Sequence, residues 1–271
     1  MQPTIQPKAT AREWIGLAVL ALPCLIYSMD LTVLYLALPQ IAEQLRPSSA
    51  QLLWIVDIYG FLLAGFLVTM GTLGDRIGRR KLLMIGAAAF GAASVLAAFS
   101  TSAEMLIASR ALLGVTAATL SPSTLSLIRN MFLDEAQRGF AIGVWVAAFS
   151  AGGILGPLFG GLLLEHFWWG SVFLIAVPVM ALLLVLGPIL LPEFRDENAG
   201  RLDLASAVLA TTAVLSVIYG IKRLAEGGFA LAPLLSVVLG TVLARVFLRR
   251  QTRLADPMID VRLFAEPRFG A

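Results

Sequence analysis

Long, uninterrupted runs of apolar residues, separated by short charged segments, form the main pattern of this chain. A helix needs roughly 20 mostly apolar residues to cross a bilayer, and eight runs are long enough. The runs are continuous and do not alternate with polar residues, which favours membrane helices over strands. They cover residues 14–38, 51–72, 82–100, 104–128, 139–164, 169–191, 204–221 and 229–248. The pattern therefore predicts an all-α polytopic membrane protein.

The composition fits a protein that lies in lipid. Charged residues are 14% of the 271 residues, whereas soluble domains carry about 25%. The first run is too long for a signal peptide and many similar runs follow it, so we interpret it as a first span. A single cysteine, Cys24, and a single histidine, His166, exclude an internal disulfide and a cysteine- or histidine-cluster metal centre. We expect no metal, no cofactor and no catalytic site, because the sequence offers no nucleophile–base pair and no phosphate-binding loop.

The positions of the basic residues predict the orientation of the spans. With the N-terminus in the cytoplasm, the cytoplasmic segments hold 16 of the 20 lysine and arginine residues, the external segments hold 3, and Arg110 lies inside a span. This asymmetry is the one that the positive-inside rule predicts. It also explains the pI near 9.3 without a nucleic-acid partner. The lipid bilayer is the expected partner, and nucleic acid is not.

Three ionisable residues lie within the apolar runs, where charge is costly and usually functional. Asp30 lies roughly 12 Å from the outer end of the first span, and Asp57 and Arg110 lie about 9 Å from the outer ends of the second and fourth spans. Either aspartate is therefore at a depth suitable for pairing with Arg110. An aspartate whose partner changes between two conformations can bind a proton in one and release it in the other. The alternatives are a fixed structural ion pair and, for Asp57, partial hydration near the interface.

Glycines stand at regular spacing in two segments. In the fifth span, Gly152, Gly156 and Gly160 recur every four residues and form a smooth stripe that lets another helix approach closely. Pro157 removes a backbone hydrogen bond and permits a bend. In residues 71–81, glycines flank a dense cluster of charge, which indicates a tight charged turn after the second span.

Four motifs occur in an order that resembles the major facilitator superfamily. MDLTVLYLALP ends the first span, GTLGDRIGRRK follows the second, LIASRALLGVTAA opens the fourth, and GGILGPLFGG lies in the fifth. The chain is most similar to the fourteen-helix drug:proton antiporters, which include quaternary-ammonium-compound efflux pumps and their mycobacterial relatives. The similarity runs along nearly the whole chain. It implies the N-terminal six-helix half of the major facilitator fold plus two additional transmembrane helices.

The resemblance implies roles for residues in these motifs. Proton coupling or cation binding is implied for Asp30, Thr32, Asp57 and Arg110. A conformational latch in the cytoplasmic loop between the second and third spans is implied for Gly71, Gly74, Asp75, Arg76, Gly78, Arg79 and Arg80. An antiporter motif that seals the interface between two states is implied for Gly152, Gly156, Pro157, Gly160 and Gly161. Leu113 departs from the pattern, because many members carry glutamine there, and this weakens any detailed polar network around Arg110.

The resemblance also divides the chain. We expect a cytoplasmic N-terminus (1–13), a six-helix transporter bundle (14–191), a cytoplasmic loop (192–203), two additional helices (204–248) and a basic cytoplasmic connector (249–271). Fourteen helices are implied and eight are present, so a second six-helix half is expected to be missing. Transporters of this fold bind substrate between their two halves. We therefore do not expect these residues to transport alone.

The leading hypothesis is a proton-coupled antiporter that exports lipophilic cations, such as quaternary ammonium compounds and ethidium, across the bacterial inner membrane. Its expected partners are protons and small lipophilic cations. Asp30, with Asp57, would neutralise a cationic drug when ionised and release it when protonated. Apolar and aromatic side chains would bind the drug body, and the candidates are Tyr35, Trp54 and Phe61, each of which is also suited to ordinary packing.

Two alternatives keep the membrane fold and change the function. In the first, a transporter of the same superfamily moves lipids, amino acids or anions and uses its acidic residues for proton coupling alone. In the second, the protein is a membrane sensor or scaffold that transports nothing. Inhibition by organic cations distinguishes the leading hypothesis from the first alternative, and proton-coupled flux distinguishes it from the second.

Overall fold

The computed structural model describes residues 7–196, 203–227, 230–254 and 257–258. Within these ranges the secondary structure is helical, with no strand. Eight helical segments are long and apolar enough to cross a membrane, and they match the eight predicted runs. The first residue of the last predicted run, residue 229, lies outside the described residues, as do parts of the segments 1–13, 192–203 and 249–271.

The helices follow one another with short connections. They are α1 (Ala11–Leu45), α2 (Ser49–Ile77), α3 (Arg79–Ala98), α4 (Ala103–Met131), α5 (Glu135–His166), α6 (Ser171–Leu174), α7 (Ala176–Leu190), α8 (Leu204–Gly227) and α9 (Leu231–Gln251). The segments α6 and α7 together form the sixth span, Ser171–Leu190.

Several helices extend beyond their apolar runs because polar residues cap them. The hydroxyl of Thr10 and the carboxylate of Glu13 form a capping box before α1, and Ser48 and Gln51 form one before α2. The first free backbone N–H groups of a helix are satisfied in this way. Hydropathy locates the segment of each helix that lies in the membrane, whereas the caps set the ends of the helix.

The sixth span is divided, although its hydropathy predicts one continuous helix. The helical pattern is interrupted at Ile175, between α6 and α7. Pro178 has no backbone N–H and cannot donate to the carbonyl of Leu174, four residues earlier. The proline therefore accounts for the interruption.

The first six spans form one bundle whose core includes α1 and α4. The predicted glycine stripe of α5 lies against α1. A Cβ atom at Gly152 would collide with the backbone of Leu25, one at Gly156 would collide with Thr32, and one at Gly160 would collide with Val33. The absence of side chains on the stripe is what lets α5 pack directly on α1.

The helices α8 and α9 form a hairpin that packs on the bundle mainly through α2. The hydroxyl of Thr211 donates to the carbonyl of Gly65 at 3.0 Å. A Cβ atom at Gly65 would lie only 3.2 Å from the side chain of Leu215. The hairpin is thus held against α2 at a point of close backbone approach.

The turn between α2 and α3 consists of a single residue. Gly78 has a φ of 109° and is followed at once by α3. Only glycine adopts this backbone conformation without strain. Gly71 and Gly74, predicted to lie in a loop, are helical residues of α2, so the loop is shorter than the sequence indicates. We call the end of the bundle that carries this turn the basic end.

Candidate functional site

A buried ion pair joins α1 to α4 inside the bundle. Nη1 of Arg110 donates to Oδ2 of Asp30. The side chain of Arg110 is 1% exposed and that of Asp30 is 9% exposed. Of the two aspartates that the sequence offers as partners, the structure pairs Arg110 with Asp30. A charge buried to this degree is tolerated only with such a partner.

Two aromatic rings and a carbonyl complete the surroundings of Arg110. Its guanidinium carbon lies 4.7 Å from the centre of the Tyr59 ring and 5.9 Å from that of Phe173. Its Nε donates to the carbonyl of Ile55 at 3.1 Å. Cation–π contacts and a backbone acceptor therefore support the charge in addition to the carboxylate.

A close helix contact places Tyr59 over Arg110. One turn after Arg110, a Cβ atom at Gly114 would collide with the carbonyl oxygen of Tyr59. The hydroxyl of Tyr59 donates to the carbonyl of Tyr27 on α1 at 2.7 Å. Gly114 thus brings α4 against α2, and Tyr59 connects both to α1. Leu113, beside Gly114, is fully buried and adds no polar group to this network.

Asp30 also borders a small cleft. The cleft lies between α1, α3 and the α6–α7 junction and has room for about one water molecule. Its lining includes Phe90 and Phe173, and Asp30 is its ionisable residue. The ion pair is therefore at the edge of a small internal space.

Asp57 does not join the Asp30–Arg110 pair. Its carboxylate Oδ1 pairs with Nζ of Lys222 on α8. These residues line an open cleft between α2 and α8, at the end opposite the basic end. Asp30 and Asp57 thus belong to two separate sites, and Asp30 is the one that pairs with Arg110.

The three candidate drug-binding aromatics lie in different surroundings. Trp54 and Phe61 line the α2–α8 cleft and pack edge to face, with ring centres 6.4 Å apart. Tyr35 is 58% exposed and lines neither cleft. The geometry brings two of the three aromatics together with Asp57 and none of them with Asp30.

Thr32 lies in the α1–α5 contact, away from the charge pair. Its hydroxyl donates to the carbonyl of Met29 in its own helix at 3.1 Å and faces Gly156. Gly161, predicted with the α5 stripe, has nothing within 4 Å of an added Cβ atom. Close packing therefore requires Gly152, Gly156 and Gly160, and it does not require Gly161.

The charged residues around the α2–α3 turn form a network with the segment after α7. The guanidinium Nε of Arg79 donates to Oδ1 of Asp75 at 2.8 Å. The carboxylate of Glu193 accepts from the backbone N–H groups of Arg80 at 3.0 Å and Lys81 at 3.2 Å. An anion at this position satisfies the free N–H groups at the start of α3 and complements its dipole. Glu193 therefore caps α3 from a distant part of the chain.

Two guanidinium nitrogens in this network have no hydrogen-bond partner among the described residues. They are Nη1 of Arg76 and Nη1 of Arg79, and both are buried. Buried donors in folded proteins nearly always have an acceptor. The arginines at this turn thus retain unused capacity to bind an acceptor.

Sequence reasoning did not identify Tyr59 or Glu193 as residues of these sites. It also did not identify Lys222 as the partner of Asp57. A tyrosine within an apolar span needs a partner for its hydroxyl, and this is the one signal that could have indicated Tyr59. Glu193 and Lys222 act across long separations in the chain, which no local pattern records.

The chain is similar to a known transporter family over most of its length. The profile of the Major Facilitator Superfamily matches residues 20–255. The multidrug efflux pump LfrA of Mycolicibacterium smegmatis is 53% identical over 257 residues, which are 95% of this chain and 51% of LfrA. The methyl viologen resistance protein SmvA of Salmonella typhimurium is 44% identical over 258 residues, which are 93% of this chain and 51% of SmvA. The chain thus spans about half the length of these relatives.

Solved structures show the same fold. The crystal structure of the peptide transporter POT in complex with sulfate superimposes with a TM-score of 0.62 and 20% identity, covering 89% of this chain and 53% of that one. At this identity the likeness concerns the fold alone, and the fold is that of a polytopic transporter.

Proposed function

The chain belongs to the major facilitator superfamily, where it groups with the drug:proton antiporters, and we propose that it acts within a proton-coupled efflux transporter for lipophilic cations. Its relatives include a multidrug efflux pump and a methyl viologen resistance protein. Methyl viologen is an organic dication, which supports lipophilic cations as the substrate class. We propose no enzymatic activity for it, because the superfamily is one of transporters.

The observation that carries the proposal is the buried pair of Asp30 and Arg110. A carboxylate at 9% exposure in a membrane protein needs a positive neighbour or a proton. When Arg110 is its neighbour, the guanidinium balances the negative charge of the Asp30 carboxylate. When Arg110 moves away, the carboxylate takes up a proton or binds a cation in its place.

Alternation between these partners of Asp30 exchanges a proton for a cationic drug. In the state open to the cytoplasm, a cationic drug is held by ionised Asp30. In the state open to the outside, a proton replaces the drug, which leaves. The proton is released on return, when Arg110 reforms the pair. The Tyr59 ring, 4.7 Å from the guanidinium carbon of Arg110, is a second partner for this charge when Arg110 leaves Asp30.

We further propose that the α2–α3 turn is the latch between the two states. Asp75 and Arg79 are paired with each other, and the unused nitrogens of Arg76 and Arg79 would bind acceptors of a second transporter half in one state only. Transporters of this fold place substrate between two six-helix halves. The second half is therefore a required partner in the proposal.

The proposed location is a bacterial inner membrane, with the basic end in the cytoplasm. The lysine and arginine residues lie mainly on this side of the eight spans, as the positive-inside rule requires. In this proposal, transport runs from the cytoplasm outwards.

The test is transport by the full-length protein in inverted membrane vesicles. Ethidium uptake is followed by fluorescence after an acidic interior is imposed, for the wild type and for Asp30→Asn. We expect gradient-dependent uptake in the wild type and at least about a hundredfold lower rate in the variant, as expected when a proton-transfer group is removed.

A matched control is Ser28→Ala on the same helix. Ser28 donates a hydrogen bond to the carbonyl of Phe149 and carries no charge, so this variant should keep its gradient-dependent uptake. Wild-type uptake that ignores the pH gradient, or an Asp30→Asn variant that transports normally, would exclude the proposal.

A further inference from the structure

The cleft between α2 and α8 contains an arrangement for binding an organic cation, and the chain itself supplies the cation. Nζ of Lys222 pairs with the carboxylate of Asp57 and lies 6.0 Å from the centre of the Phe61 ring. A carboxylate beside an aromatic face is the combination that binds alkylated ammonium ligands. Lys222 thus occupies the position of a ligand.

The cleft is open on one side, and a cation that displaces Lys222 from Asp57 would lie against its walls. It is lined by Leu53, Trp54, Tyr219 and Arg223 in addition to the ion pair and Phe61. The Trp54 ring, 38% exposed, stands edge to face with Phe61 at 6.4 Å. The walls are therefore mainly aromatic and apolar and are accessible from outside the bundle, and the guanidinium carbon of Arg223 lies 5.7 Å from the centre of the Tyr219 ring.

The helix α8 packs against α2, and Lys222 reaches the cleft from α8 on a flexible side chain. Thr211 and Leu215 hold α8 against α2 at Gly65. The Lys222 side chain is 31% exposed, and that of Asp57 is 12% exposed. A lysine with a flexible stem can withdraw to the aqueous end and stay hydrated, which leaves the more buried carboxylate for another cation.

A lipophilic cation has two advantages over the lysine in this cleft. The ammonium group is a compact and strongly hydrated charge, so its transfer into an aromatic cleft is costly. An organic cation spreads its charge over a larger volume and buries apolar surface against Trp54 and Phe61. For these two reasons, an organic cation can compete with Lys222 for the carboxylate of Asp57.

We propose that the α2–α8 cleft is a second binding site for lipophilic cations and that Lys222 is a tethered competitor that sets its affinity. The substrate class rests on the proposed function. The site and the competition rest on the contacts of Asp57, Phe61 and Lys222. At the exit side of an exporter, a tethered cation that returns to Asp57 lowers rebinding of the released drug. This gives the additional hairpin, α8–α9, a specific role.

The test measures protection of the cleft by tetraphenylphosphonium. In the full-length protein in lipid nanodiscs, Leu53→Cys is alkylated by N-ethylmaleimide, and mass spectrometry of the peptide containing position 53 gives the rate. The half-protective concentration of tetraphenylphosphonium is then compared in four backgrounds: Lys222 intact, Lys222→Gln, Lys222→Arg and Asp57→Asn. The neutral triphenylmethanol serves as the uncharged control.

Removal of the competitor should strengthen binding at this site. We expect the half-protective concentration to fall about fivefold to tenfold in Lys222→Gln and to stay within about twofold in Lys222→Arg, where the tethered charge is kept. Protection should be lost in Asp57→Asn. Triphenylmethanol should give the same weak protection in every background.

An unchanged or raised half-protective concentration in Lys222→Gln would exclude competition between Lys222 and the bound cation. Equal lack of protection by tetraphenylphosphonium in all backgrounds would overturn the site. Failure of the proposed function gives a different pattern: gradient-driven ethidium transport is absent, while protection at position 53 and its dependence on Lys222 remain measurable.

Discussion

Nη1 of Arg110 donates to the carboxylate of Asp30, and these two side chains, from α4 and α1, are 1% and 9% exposed. This contact joins two helices of the core through opposite charges. Removing one partner of a pair at this depth costs about 3–5 kcal/mol, because the other charge stays buried without a partner. Removing one residue should therefore destabilise the protein more than removing both.

The first prediction is a double-mutant cycle on this pair. Asp30→Asn leaves the guanidinium of Arg110 without its carboxylate and should lower the free energy of unfolding by about 3 kcal/mol. The double variant Asp30→Asn/Arg110→Gln should recover most of this loss, because no charge remains, yet should not transport. Thermal unfolding in detergent measures the coupling. Additive losses in the double variant would mean that the two residues do not act as a pair.

The second prediction concerns two adjacent glycines of α5. Gly152 faces the backbone of α1, whereas Gly153 has nothing within 4 Å of an added Cβ atom. Gly152→Ala should destabilise the protein by about 1–3 kcal/mol because it forces the helices apart. Gly153→Ala should be neutral or stabilising by up to about 1 kcal/mol because alanine favours the helix. Similar melting temperatures for the two variants would argue against direct α1–α5 packing.

The third prediction concerns the cap that Glu193 provides for α3. Glu193→Gln removes the anion from the N-terminus of α3 and from Arg80. Since the side chain is 37% exposed, the expected loss is modest, about 0.5–1 kcal/mol. Hydrogen exchange at the amides of Arg80 and Lys81 should rise several-fold, with the amides in the middle of α3 unaffected. No change at these two amides would exclude the cap.

The fourth prediction is a pH dependence at the base of the α8–α9 hairpin. Arg250 donates to the carboxylate of Asp203 at 2.7 Å, and Ser206 does so at 2.7 Å. These hydrogen bonds, that of Arg250 first, hold the pKa of Asp203 well below its ordinary range. Because the pKa of Asp203 is lower in the folded state, its ionised carboxylate stabilises the fold at every pH above its pKa in the unfolded state, about 3.9. This stabilisation is lost as the pH falls below that pKa.

Asp203→Asn should therefore melt at a lower temperature than the wild type at pH 7 and at pH 5. The difference should shrink as the pH is lowered from about 4 to 3, where the wild-type carboxylate also begins to lose its advantage. Melting curves at pH 7, 5, 4 and 3 measure this. A difference that grows on acidification would contradict the assignment.

The sequence predicted the spans well because hydropathy is a property of each segment alone. All eight runs became helices, and the α5 stripe was found from a four-residue period that depends only on local geometry. The interruption at Ile175 was missed because one proline, Pro178, outweighs an otherwise continuous apolar run. The turn at Gly78 was overestimated in length for a similar reason: glycines inside a helix and glycines in a turn look alike in sequence.

The partners of the charges were harder to predict than their depth. Asp30 and Asp57 lie at similar estimated depths, so depth could not choose between them as the partner of Arg110. The choice depends on which face of each helix points inward, and this is set by contacts such as Gly114 against Tyr59. The pairing of Asp57 with Lys222 depends in turn on α8 packing against α2, for which the sequence has no signature.

Exchange of a proton for a cation is measured most directly in proteoliposomes that contain the full-length protein. An inward ethidium gradient is imposed with the membrane potential clamped by valinomycin and potassium, and lumenal pH is followed with a trapped dye. We expect the lumen to become alkaline in the wild type as protons leave in exchange for ethidium, and to stay unchanged with Asp30→Asn. Ethidium entry without any change of lumenal pH, or the same alkalinisation with Asp30→Asn, would contradict proton-coupled export through the Asp30–Arg110 pair.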